Sequence, residues 1–173
     1  MLRRFLNISV LLTSVFILGN VSAFGQVIDL SDAQKEAIKT ATFTTLDGEE
    51  KTLADFEGKV LILDFWETWC TPCRRVMPTL DKLAGEYKDD FEVLAISPGW
   101  SDSKEDVQAF RDENEYDFNW LFASELAKEL QIQGIPYKVY VSPEGEIIEA
   151  MMGIYGTEKD YTSTKEVIEK HAK

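Results

Sequence analysis

Cysteine and histidine are almost absent from this chain. Its 173 residues include two cysteines, Cys70 and Cys73, and one histidine, His171. A structural zinc site takes four ligands, mostly of these two types, so the pair is not expected to serve a metal. A single pair also provides no disulfide framework, and a bridge across so short a loop removes little unfolded-state entropy. Positive charge is scarce as well. Lysine and arginine number 18 against 31 acids, a formal net charge of −13. Such a surface argues against nucleic acid or an anionic membrane face as a partner. Beyond the first two dozen residues no apolar run is long enough to read as a membrane span. No internal repeat or low-complexity tract is visible.

Residues 1–23 read as a secretory signal peptide. Arg3 and Arg4 form a short positive region, and Phe5 to Leu18 is mostly apolar. Val21-Ser22-Ala23 then supplies the small residues of a cleavage site. The apolar run falls short of the ~20 residues a span needs, which favours cleavage near Ala23 over a retained anchor. No cysteine stands near the cut, which argues against a lipid anchor. Cleavage would leave 150 residues, enough for one domain with a single core. It would remove two arginines and no acid, taking the charge from −13 to −15. The expected organisation is therefore a signal segment (1–23), a polar arm (24–41) and one domain (42–173). An exported protein with two thiols in an oxidising compartment tends to form a disulfide.

Those two cysteines sit in Trp69-Cys70-Thr71-Pro72-Cys73. The apolar run Val60–Trp66 precedes them and an amphipathic run from Arg74 to about Tyr87 follows. The pattern predicts a buried central strand, a tight turn and a helix, with the cysteines at the junction. Residues three apart at a helix start share one face, at a separation suited to a disulfide. Unpaired N–H groups and the positive end of the helix dipole favour a thiolate at Cys70. Cys70 is thus the expected nucleophile, and Cys73, one turn in, the resolving thiol. Pro72 falls in the first turn, where a missing N–H costs nothing. Asp64, six residues before Cys70, is an acid within an apolar strand. Burial should raise its pKa and make it a candidate proton acceptor for Cys73.

The remaining pattern alternates strands and helices. Gln26 to Lys39 is polar with a weak helical period. Thr42–Leu46, the turn at Asp47-Gly48, and Glu50–Leu53 predict a hairpin. Phe91–Ile96 is a second core strand. Ser103 to about Asn114 is a helix, Ser103 capping it with Asp106 three residues on. Asn119–Phe122 is a short strand and Ser124–Leu130 a helix. Lys138–Val141 and Glu146–Met152 are antiparallel strands, the second at the sheet edge. Thr162–Lys170 is a last helix.

The segment Asp64-Phe65-Trp66-Glu67-Thr68-Trp69-Cys70-Thr71-Pro72-Cys73 resembles the active-site segment of the thioredoxin superfamily. With the signal peptide and the hairpin before the core strand, the chain is most similar to the exported TlpA/ResA-like thiol–disulfide oxidoreductases. The resemblance implies an α/β thioredoxin fold: three α/β/α layers, a mixed central sheet and an N-terminal β-hairpin extension. It also implies a cis peptide bond between Ile135 and Pro136 facing the CxxC. From spacing alone, a trans proline starting a strand is the plainer reading. By resemblance, Trp69, Ile135 and Pro136 would contact substrate, and a substrate peptide could add to that backbone edge as a strand. The implied activity is reduction of protein disulfides with no metal or organic cofactor. The implied partners are protein thiols and disulfides and a membrane-borne electron carrier, among them apocytochrome c maturation substrates.

Three residues depart from the resemblance. Many TlpA/ResA-like chains have asparagine where Asp64 stands, as thioredoxins have aspartate. Glu67 replaces a small residue; a carboxylate near the thiols would raise their pKa and slow attack, and the favoured expectation is instead that it reaches solvent or pairs with Arg74 or Arg75. Trp100, in the loop Ser97–Ser101, is expected either to wall a substrate groove or to cover the core. Trp66 is expected to pack in the core and Trp69 to shield Cys70. A thiol peroxidase is the alternative enzyme, but Glu67-Thr68-Trp69 lacks the proline such enzymes place just before the reactive cysteine. A redox-inert binding module on the same fold is the non-enzymatic alternative.

Overall fold

The computed structural model describes residues 25–172. The signal segment falls outside them. Eight strands form one sheet: β1 (Gln26–Ile28), β2 (Phe43–Thr45), β3 (Glu50–Lys51), β4 (Val60–Phe65), β5 (Phe91–Ser97), β6 (Asn119–Phe122), β7 (Tyr137–Val141) and β8 (Ile147–Met152). Five helices flank it: α1 (Asp32–Lys39), α2 (Thr71–Glu86), α3 (Lys104–Asn114), α4 (Ser124–Glu129) and α5 (Thr157–His171). The sheet order is β1-β8-β7-β4-β5-β6-β2-β3. β4, β5 and β6 run parallel; the other neighbouring pairs are antiparallel.

β4 lies at the centre with all six residues buried, as a strand covered on both faces must be. Its side chains alternate between two cores. Val60, Ile62 and Trp66 pack with α2, α3 and α5; Leu61, Leu63 and Phe65 pack with α1 and α4. This is the expected three-layer thioredoxin fold. Trp66 is a core residue, as expected, its ring centroid 4.8 Å from Phe110 and 5.4 Å from Trp120. Ser103 and Asp106 form the anticipated reciprocal cap of α3.

Two expectations change. The polar stretch read as an arm is built into the fold. β1 pairs with β8 over Gln26↔Met152 to Ile28↔Ala150, and α1 buries Ile38 in the second core. Ser31 and Gln34 cap α1 reciprocally, a second start signal of the same kind as that on α3. β8 is consequently not the sheet edge, because β1 covers its outer hydrogen-bonding side. The last helix also begins earlier than expected, at Thr157. The Asp160 carboxylate accepts from the backbone N–H groups of Tyr155 and Gly156 and ties down that start.

Candidate active site

Three chain segments meet at the C-terminal end of β4. The first is the turn from Trp66 into α2. Cys70 is the N-cap residue of α2, and its sulfur accepts from the backbone N–H of Cys73 at 3.2 Å. Cys70 and Cys73 are joined in a disulfide with Cα atoms 5.3 Å apart. Both are buried, Cys70 at 2% exposure and Cys73 at none. α2 thus presents its free N–H groups and dipole to the sulfurs. Pro72 occupies its first turn, as expected, and the helix continues through Pro78.

The second segment enters β7. The Ile135–Pro136 peptide bond is cis. Phe65 of β4 pairs with Tyr137 of β7, so the bond lies at the same end of the sheet as the disulfide. Pro136 is buried, and Ile135 is half-buried between both cores. The Pro136 carbonyl accepts from Gly153 N–H at 2.8 Å.

The third segment is the loop after β5, Pro98 to Asp102, and here the fate of Glu67 is decided. Glu67 neither reaches solvent nor pairs with an arginine. It is fully buried. Its Oε1 accepts from Trp100 N–H at 2.7 Å; its Oε2 accepts from Trp69 Nε1 at 2.8 Å and from the Ser101 hydroxyl at 2.7 Å. The backbone N–H groups of Ser101 and Asp102 add to Oε2. Such a donor set offsets the cost of burying a carboxylate, and a tight loop of backbone amides supplies it. Gly99, at φ +68°, provides the left-handed step in that loop. Arg74 lies over the Phe110 ring instead, 5.6 Å from its centroid. Trp69 and Trp100 stand out from the surface at 56% and 45% exposure. Trp100 therefore does not cover the core.

Asp64 lies beneath, on the same face of β4 as Trp66, in the core layer that holds Cys73. It is 1% exposed, and neither carboxylate oxygen has a hydrogen-bond partner among the described residues. Burial pushes its pKa up from 3.8 to about 6; the positive charge of Lys138 holds it down, and Asp160 adds a smaller upward push. Lys138 is paired with Asp64 in the β4–β7 register and is itself 1% exposed. It is a site residue that sequence reasoning passed over. The available signal was a lone lysine within the otherwise apolar Tyr137–Val141. Replacing it by methionine removes the charge that opposes burial, so the Asp64 pKa should move further up. Carboxyl titration of Lys138→Met beside wild type, by NMR, checks the direction.

A disulfide capping α2, a cis-proline at the same end of the sheet and a buried carboxyl of raised pKa on β4 are groups that a dithiol redox site would use. The AhpC/TSA family profile matches residues 33–155, most of the chain. The chain belongs to that family. The thioredoxin-like protein YneN of Bacillus subtilis is 33% identical over 63% of this chain and 65% of its own length. The thiol-disulfide oxidoreductase ResA of Geobacillus kaustophilus is 32% identical over 74% of this chain and 70% of its own. Among solved structures, the thioredoxin domain of a thiol-disulfide oxidoreductase from Bacteroides vulgatus superposes with a TM-score of 0.65 at 25% identity. It covers 81% of this chain and 99% of that domain. Within the AhpC/TSA family this is a ResA-like thioredoxin-superfamily member, a thiol–disulfide oxidoreductase, and it carries a CxxC pair joined as a disulfide between Cys70 and Cys73.

Proposed function

We propose that the protein works outside the cytoplasm as a reductant of protein disulfides. The observation that carries this reading is the Cys70–Cys73 disulfide seated on the N-terminus of α2. In the reduced enzyme, the Cys70 thiolate attacks one sulfur of a substrate disulfide. A Cys70–substrate disulfide forms and the first substrate thiolate leaves. Asp64 takes the Cys73 proton, and the Cys73 thiolate attacks the Cys70 sulfur. The second substrate thiolate leaves, and the enzyme retains the disulfide seen here. Two electrons have passed from the enzyme dithiol to the substrate.

Substrate would lie along the Ile135–Pro136 edge. Proline has no N–H, and the Pro136 carbonyl is taken by Gly153. Ile135 is then the residue whose backbone groups could pair with an extended peptide. Trp69, next to Cys70 and largely exposed, would contribute to the same substrate surface. Export rests on the pattern of Met1–Ala23. No helix among the described residues is long and apolar enough to cross a membrane. Because the compartment is oxidising, restoring the dithiol takes an outside donor, for which a membrane-borne electron carrier is the fitting class.

A redox titration of the purified protein tests the direction of transfer. Proline before the second cysteine, shared with thioredoxins, places the expected potential near the reducing end, about −270 mV. Insulin should be reduced at the expense of dithiothreitol. A potential near the strongly oxidising end, about −120 mV, would make the protein a disulfide donor and reverse the proposal.

A further inference from the structure

We infer that Glu67 is a positioning residue that fixes an aromatic wall beside the disulfide, against which protein substrates dock. This rests on the disulfide-reductase reading above. The two segments that carry the exposed tryptophans are tied in both directions. Glu67, from the turn before Cys70, receives the Trp69 indole N–H and the Trp100, Ser101 and Asp102 amides. Asp102, from the loop after β5, receives the backbone N–H of Thr68 and its hydroxyl, the latter at 2.7 Å. The Ser101 hydroxyl touches both Glu67 Oε2 and Trp69 Nε1, each at 2.7 Å. One buried carboxylate thereby orients the Trp69 ring and the backbone that bears Trp100.

The physical consequence is preorganisation. Two exposed tryptophans on a mobile loop would lose freedom on binding; held in place beforehand, they lose little. Tryptophan, with tyrosine and arginine, is enriched at the centres of binding surfaces. The chemistry that recognises such a wall is an extended protein segment with apolar or aromatic side chains beside its disulfide. A small hydrophilic disulfide needs only the sulfurs.

Glu67→Gln tests this with little change of shape. Both carboxylate oxygens face donors, so in either orientation of the glutamine amide its NH2 meets N–H groups. The ratio of kcat/KM for insulin over that for hydroxyethyl disulfide should fall roughly tenfold, mainly through KM for insulin. Ser101→Ala, which removes only the bridging hydroxyl, should move the ratio the same way by less. Hydrogen exchange of the Trp100, Ser101 and Asp102 amides should speed up roughly tenfold in Glu67→Gln. If Glu67 acted instead by tuning the Cys70 thiolate, both substrates would lose in equal proportion, and that result overturns the inference. Unchanged exchange of the three amides overturns it too. A wild-type protein that leaves insulin intact while showing Glu67-dependent exchange would overturn the reductase reading and the docking role together, leaving only the brace.

Discussion

Cys70→Ser should abolish insulin reduction, a loss of roughly a thousandfold or more, while leaving the fold intact. Serine keeps an acceptor at the N-cap of α2, where the Cys70 sulfur now receives the Cys73 N–H. The helix start is thus preserved as the nucleophile is removed. Cys73→Ser should behave differently. Its Cys70 can still attack, but nothing resolves the product, so a covalent enzyme–substrate disulfide accumulates. Non-reducing gel electrophoresis after mixing with insulin reads the distinction directly. Residual turnover by Cys70→Ser, or trapping by both variants alike, would mean the two sulfurs do not have the assigned order of attack.

Asp64→Asn should stabilise the oxidised protein at neutral pH and slow its catalysis. The Asp64 pKa is raised from 3.8 to about 6 by burial. Between those values the folded state holds a proton that the unfolded chain has lost. Stability therefore falls as pH rises from about 4 to about 6 and is level above that. At pH 8 the charged carboxylate costs about 3 kcal/mol, at 1.36 kcal/mol for each pKa unit. Asparagine removes that charge, so the variant should gain up to about 3 kcal/mol at pH 8 and close to nothing at pH 4. Urea unfolding at both pH values checks it. Under turnover the same variant lacks the group assigned to accept the Cys73 proton. Mixed disulfide should persist in it, and the rise in rate near pH 6 should vanish. An equal gain in stability at both pH values would show that packing, not charge, sets the cost of this residue.

The placement of the site was legible where it rested on local order. The spacing of Cys70 and Cys73, the apolar Val60–Phe65 and the amphipathic run after them fixed strand, turn and helix. Helix starts and strand interiors announce themselves over a few residues. Ser103 with Asp106 worked in the same way. The cis bond at Ile135–Pro136 came from resemblance, since the spacing alone favoured trans.

What stayed hidden depended on partners far along the chain. Gln26–Ile28 is too short to read as a strand, and its hydrogen bonds go to β8, more than a hundred residues away. Lys138 gained its meaning only when β7 settled antiparallel beside β4 with Asp64 in register. Glu67 was misread because charge in a sequence suggests solvent, whereas the donors that make its burial tolerable arrive from the loop after β5. By itself the sequence determined that this chain carries a pair of cysteines at a helix start within a thioredoxin-like layered sheet. The tertiary structure alone decided which charged groups could be buried around that pair, because a buried charge is permitted only by the groups that converge on it.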